Sequence, residues 1–250
     1  ASDTIRLHNI LVGEVWLCSG QSNMEYAMRK NSKLFDKVKG AHPAEDDLQT
    51  ANNPNIRIFL VRRKYMAPDS THQGWDVAAG NPLRDFSAAG YFCAKELYAK
   101  LHVPVGMISS AVPGSHIEPW IEKKQLEVSP KLKDGTSLKP LTDDGGDAGK
   151  FYDTMIRPVI PFTLSGVFWY QGESACFLNE TIRYAYKFKT LVNSWRADWK
   201  DAALPFYFVQ IAPYAYSAAK DVRPHTTENL PGFWESQALA LKLPNTGMAV

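Results

Sequence analysis

The chain has 250 residues, room for one large domain or two small ones at ~100–200 residues each. Hydrophobic residues make up 45% and charged residues 22%, ordinary values for a folded chain, which excludes wholesale disorder. The formal net charge of +2 gives no global field to attract nucleic acid or a membrane surface, and no apolar run reaches the ~18 residues of a membrane-spanning helix.

The opening residues, ASDTIRLHN, lack the charged-then-apolar layout of a secretory leader, which leaves the compartment open. Residues 10–18 are apolar and β-branched and read as a buried strand, broken at 19–23. The first turns of a helix follow at 24–30, and a second strand at 56–61. Residues 64–84 mix Pro, Asp, Gly and Asn without periodicity and read as an irregular loop. A helix is expected over 87–101, with Ala89, Phe92, Cys93, Leu97 and Leu101 as its buried stripe. A third strand covers 105–109, and the Gly-, Asp- and Lys-rich stretch 125–150 reads as a long surface loop. A fourth strand at 166–170 ends in Gln171-Gly172-Glu173. The long helix over 179–199 buries Tyr184, Phe188, Leu191, Val192 and Trp195, and residues 206–211 form a fifth strand. Pro231 opens a helix carrying Trp234, Ala238 and Leu241, and 247–250 begins a sixth strand.

Strands alternating with helices at this spacing predict an α/β fold, a three-layer α/β/α sandwich around a parallel, flavodoxin-like sheet. Trp16 and Trp169, inside strands, are expected in the core. The three cysteines, Cys18, Cys93 and Cys176, fit no zinc or redox spacing and read as buried free thiols. In open parallel sheets chemistry sits beyond the carboxyl ends of the strands, here at residues 19–23, 110–116 and 171–175.

Each of these exits has a chemical and a plain reading. Ser22 stands where a strand turns into a helix, which suits an acyl-transfer nucleophile whose own N–H faces the developing oxyanion; serine is also a common helix cap. The surroundings do not match the Gly-x-Ser-x-Gly elbow of α/β-hydrolases, because Asn23 and Met24 follow the serine. Gly114 lets a substrate oxygen approach its N–H, or simply makes a turn. The carboxamide of Gln171 at a strand tip donates into a pocket, or is a satisfied polar strand end.

Taken together, GQSNM at 20–24, VPVGMISSAVPGSHIEPW at 103–120 and WYQGES at 169–174 resemble the sialate O-acetylesterase branch of the SGNH hydrolases, which is itself similar to the carbohydrate acetylesterases active on xylan. The likeness runs from about residue 11 to 250. It implies Ser22 as nucleophile, with the backbone N–H groups of Ser22 and Gly114 and the side-chain amide of Gln171 as oxyanion donors. It departs at Ala175, where many relatives have Asn, and at Pro113-Gly114-Ser115, where many have Gly-Gly-Thr.

A serine esterase needs an imidazole base oriented by a carboxylate. The resemblance puts both in an Asp-x-x-His element after the final strand, so the catalytic Asp and His are expected beyond Val250. Among the six histidines, His116 follows the oxyanion glycine and is a candidate for substrate contact. His225, in Asp221-Val222-Arg223-Pro224-His225, imitates the missing element with one residue too many; His8, His42, His72 and His102 read as surface or capping residues. Glu173 is expected to orient Gln171 or Asn23, and Glu118 and Trp120 to pack beneath the second loop.

Residues 1–9 read as the tail of an upstream β domain, such as larger bacterial relatives carry, and 10–250 as the esterase domain of a secreted or periplasmic protein. The expected activity is removal of acetyl groups from sugar hydroxyls, on sialic acid or another glycan, with no metal or organic cofactor. The expected partner is an acetylated carbohydrate, not nucleic acid or membrane. An acetylxylan esterase and a non-catalytic carbohydrate-binding protein on a degenerate hydrolase fold stay open as alternatives.

Overall fold

A computed structural model describes residues 6–35, 47–61, 74–128, 132–133, 138–139, 147–218 and 226–250. The chain begins with β1 (Glu14–Gly20), α1 (Ser22–Glu25), α2 (Met28–Phe35) and α3 (Asp47–Thr50). It continues through β2 (Ile56–Leu60), β3 (Trp75–Val77), α4 (Gly80–Arg84), α5 (Ala88–Leu101) and β4 (Val105–Ala111). After α6 (Lys123–Glu127), the short β5 (Leu132–Lys133) and β6 (Leu138–Lys139) pair with each other. The last third contains β7 (Gly166–Tyr170), α7 (Glu173–Phe177), α8 (Ile182–Asp198), β8 (Phe206–Val209), α9 (Asn229–Ala238) and β9 (Thr246–Ala249).

The main sheet has seven strands in the order β3-β2-β4-β1-β7-β8-β9, and all its pairings are parallel except that of β3 on β2. The run β4-β1-β7-β8-β9 follows the flavodoxin order 2-1-3-4-5, and β2 with the antiparallel β3 extends the sheet beyond β4. Alternate residues of β1 face opposite cores. Leu17 joins Val167, Trp169, Phe206 and the α8 residues Phe188, Leu191 and Trp195 on one face; Trp16 and Cys18 join Ile58, Met107, Phe86 and Tyr91 on the other. Burial on both faces explains why the strands read as near-continuous apolar runs.

Several boundaries differ from the sequence reading. Residues 10–12 are not buried strand: Ile10 is 61% and Val12 88% exposed. Pairing starts at Glu14, whose N–H donates to the Pro104 carbonyl, because β4 begins only at Val105. The expected helix at 24–30 is split at Tyr26–Ala27, where backbone groups bond across to Phe86 and Ala88 instead of along a helix. Within 64–84, Trp75–Val77 adds an edge strand and Gly80–Arg84 a short helix; residues 64–73 lie outside the described residues. Within 125–150, residues 129–131, 134–137 and 140–146 also lie outside them.

Helix α5 is capped by the Ser87 hydroxyl, which accepts from the Gly90 N–H, and it ends at His102, which holds a left-handed φ of 56°. Its buried face is Ala88, Gly90, Tyr91 and Ala94, not the expected stripe, and Leu101 is 47% exposed. The small residues bring the helix close to β1: a Cβ on Gly90 would lie 3.2 Å from the Cys18 sulfur. Helix α8 buries all five residues expected of it. In α9 the buried residues are Asn229, Phe233, Ser236 and Gln237; Leu241 lies beyond the helix and is 46% exposed. Trp16 and Trp169 are core residues, and all three cysteines are free, with Cys93 only partly buried.

Candidate functional site

The strand order makes neighbours of the three exits, since β4, β1 and β7 lie side by side. Their carboxyl ends are stitched by backbone bonds. The Val112 N–H donates to the Gly20 carbonyl at 3.0 Å, and the Gln21 N–H donates to the Tyr170 carbonyl at 2.9 Å.

At the first exit Gln21, not Ser22, occupies the N-cap position of α1, and its side chain makes no cap bond. Ser22 is therefore the first helical residue. Its N–H has no intrahelical acceptor, and its side chain is exposed at the end of the central strand. Gln21 turns inward instead and is 3% exposed.

At the second exit the Ser115 N–H donates to the Val112 carbonyl at 3.2 Å, closing a turn with Pro113 and Gly114 at its centre. Gly114 has φ +69°, the sign that the third residue of a type II turn requires and that glycine tolerates best. A Cβ there would meet nothing within 4 Å, so glycine serves the backbone conformation and leaves open space above it. The turn's own bond uses the Ser115 N–H, not that of Gly114. Ser115 also accepts, through its hydroxyl, from the Trp120 indole at 3.0 Å, which seats the loop on the core. His116 follows, half-buried.

At the third exit Gln171 is completely buried. Its Nε2 donates to Gln21 Oε1 at 3.1 Å and to the Ser115 carbonyl at 3.2 Å. Gln21 Oε1 also accepts from the N–H groups of Gly172 at 3.2 Å and Ser174 at 3.4 Å. These contacts fix both amide orientations. An oxygen must face the two backbone donors, and a nitrogen must face the two acceptors. Among the described residues, Gln171 Oε1 has no hydrogen-bond partner although it is buried. Gly172 has φ +152°, and a Cβ on it would come within 2.7 Å of Phe233 and 2.9 Å of Ile211.

Glu173 opens α7 and accepts through Oε1 from the amide of Asn23, the residue beside Ser22. Burial raises its pKa above the usual carboxylate value; hydrogen bonds from its own backbone N–H, Asn23 and Gly172 work against that rise. Glu118 and Trp120 lie beneath the second loop, fully buried, with Glu118 ion-paired to Lys187. Ala175, where Asn was expected by resemblance, is buried. His8 and His102 are exposed, and His42, His72 and His225 lie outside the described residues. The residue given no role in the sequence reading is Gln21, which entered it only as part of GQSNM at 20–24.

The decisive comparison covers nearly the whole chain. A family model described as "Carbohydrate esterase, sialic acid-specific acetylesterase" matches residues 12–246. The chain belongs to this carbohydrate esterase family. Among its relatives, the sialate O-acetylesterase of Mus musculus is 29% identical over 295 residues, covering 99% of this chain and 52% of that protein. The sialate O-acetylesterase of Homo sapiens is 28% identical over 272 residues, covering 99% of the chain and 49% of that protein. The chain thus spans about half the length of these relatives. A solved carbohydrate acetylesterase from Xanthomonas citri superposes with a TM-score of 0.71 at 32% identity, over 95% of this chain and 49% of that one. A solved Arabidopsis thaliana protein shares the fold, with a TM-score of 0.57 at 19% identity, over 94% of this chain and 84% of that one. As a member of this family, the chain carries an SGNH-like α/β/α sandwich.

Proposed function

We propose that the protein is a serine-dependent carbohydrate O-acetylesterase, acting on acetyl groups carried by sialic acid or another glycan. One observation carries the reading. Three adjacent strand exits are bonded into one cluster, in which an exposed Ser22 and an open Gly114 lie on loops joined through Gln171. Ser22 Oγ attacks the acetyl carbonyl carbon, and the carbonyl oxygen takes the negative charge. The N–H groups of Ser22 and Gly114 hold that oxygen. Gln171 joins them by exchanging the Ser115 carbonyl for the anion. Collapse breaks the bond to the sugar oxygen, which leaves protonated as the alcohol, and water then clears the acetyl-serine as acetate. The histidine base is assigned to the Asp-x-x-His element implied by the family resemblance.

The experiment is acetate release by the full-length protein from O-acetylated sialosides and from acetylated xylan, with fluorophosphonate labelling of the serine. Labelling at Ser22, lost together with acetate release in Ser22→Ala, is the expected result. Preference between the two substrates separates a sialate from a xylan esterase. Sugar binding with neither labelling nor acetate release would replace this reading with the non-catalytic one, which the sealed Gln171 amide favours.

A further inference from the structure

The loop that leaves β8 crosses the third exit and builds a feature that the chemistry above does not use. Its start is pinned to α9. The Ile211 N–H donates to Gln237 Oε1 at 3.1 Å, and the Trp234 indole donates to the Ile211 carbonyl at 2.8 Å. Ile211 packs over Gly172, directly before Glu173. Three residues further on, the loop meets Phe177, the last residue of α7. Phe177, Tyr214 and Tyr216 form a closed triangle of edge-to-face rings. The centroid separations are 6.0 Å for Phe177–Tyr214, 4.8 Å for Phe177–Tyr216 and 5.2 Å for Tyr214–Tyr216, with interplanar angles of 68°, 62° and 73°.

The three rings are not equivalent. Tyr216 is the root, 2% exposed, while Tyr214 is 63% exposed. Each ring is oriented by the other two, so Tyr214 is held in one attitude although most of its surface is bare. The triangle also adjoins the candidate site, since Phe177 ends the short helix that Glu173 opens. Glu173 in turn grips Asn23, next to Ser22.

We propose that the bare face of Tyr214, held by Phe177 and Tyr216, is a stacking platform for the pyranose ring of the acetylated carbohydrate. The proposal rests on the esterase reading for the identity of its ligand. The physical fit is direct. One face of a pyranose presents C–H groups carrying partial positive charge, and the face of an aromatic ring is the negative side of its quadrupole. A tyrosine fixed before binding gives large contact area at little cost in conformational entropy. The platform would orient the sugar while the ester reaches Ser22. It tolerates different sugars, because stacking reads the C–H face and not the hydroxyl pattern.

The test is calorimetric titration of the full-length Ser22→Ala protein with a methyl O-acetyl-β-xylopyranoside and with an O-acetylated sialoside. Adding Tyr214→Leu is expected to weaken binding of at least one sugar by about tenfold, whereas Tyr214→Trp keeps it within about twofold of the parent. Unchanged melting temperatures show that neither variant has lost its fold. Equal affinity in the leucine variant, equal losses in both variants, or no binding of either sugar by the parent would overturn the platform. Failure of the esterase reading looks different: the wild-type protein releases no acetate and takes no fluorophosphonate, yet its sugar binding still depends on Tyr214.

Discussion

The carboxamide oxygen of Gln21 collects the N–H groups of Gln171, Gly172 and Ser174, and so ties the first exit to the third. Gln21→Ala leaves these buried donors unpaired, at a cost of about 1–3 kcal/mol each where water cannot reach them. The expected result on the full-length enzyme is kcat down by roughly 10–100-fold with KM little changed, since misplacing a positioned group reduces the chemical step. Gln21→Glu, which keeps an acceptor oxygen, should recover much of it; steady-state kinetics and thermal unfolding check both. Glu173 yields a pH prediction. Its pKa is raised in the fold from the ordinary 4.5 by burial, so the folded state binds the proton more tightly than the unfolded one. Its contribution to stability is therefore full below about pH 4.5 and is lost as pH rises through the folded value. Relative to Glu173→Gln, wild-type melting temperature should fall as pH increases from 4.5, and the gap should stop widening once the group is fully ionised. Ser22, Gly114 and Gln171 were legible as candidates because strand exits and turn chemistry are local in sequence. Gln21 was not, because its partners lie 150 or more residues away.

At the scale of elements, α5 shows how periodicity finds a helix and still misplaces its face. The apolar residues Phe92, Cys93 and Leu97 are only partly buried, while the small Gly90 and Ala94 are buried, Gly90 against Cys18 of β1. A helix lying close to a sheet buries its small residues at the closest approach and sets its large ones at the flanks. Ala94→Leu should accordingly destabilise by about 1–3 kcal/mol through overpacking, and Leu101→Ser by less than about 0.5 kcal/mol. Urea denaturation compares the two directly. The split between α1 and α2 has a similar origin. The Ala88 N–H donates to the Tyr26 carbonyl and the Met28 N–H to the Phe86 carbonyl, so backbone groups that would have continued one helix are used in tertiary bonds. No window of residues around 24–30 carries that information.

Across the whole molecule, the second exit is anchored to the helical layer by a buried ionic cluster. Lys187 of α8 bonds to Glu118, beneath the second loop, and to Glu180, in the segment before α8. Burial works against the lysine's charge, but the two carboxylates outweigh it and hold its pKa above the usual value. Lys187→Met would leave two carboxylates buried without their cation, and a loss of about 3–5 kcal/mol in denaturant unfolding is expected. Replacing Glu118 and Glu180 by Gln in the same protein should restore part of it. By itself the sequence determined the kind of fold and the strand exits at which a site belongs. Apolar runs alternating with amphipathic helices require a covered parallel sheet, and the three motifs sit at strand ends where such sheets bind ligands. The tertiary structure alone decided that β4, β1 and β7 are neighbours, that Gln21 and Gln171 lock their exits together, and that Tyr214 stands bare against Phe177 and Tyr216. Strand order and side-chain pairing depend on which distant segments bury one another, a property of the packed chain that no local pattern encodes.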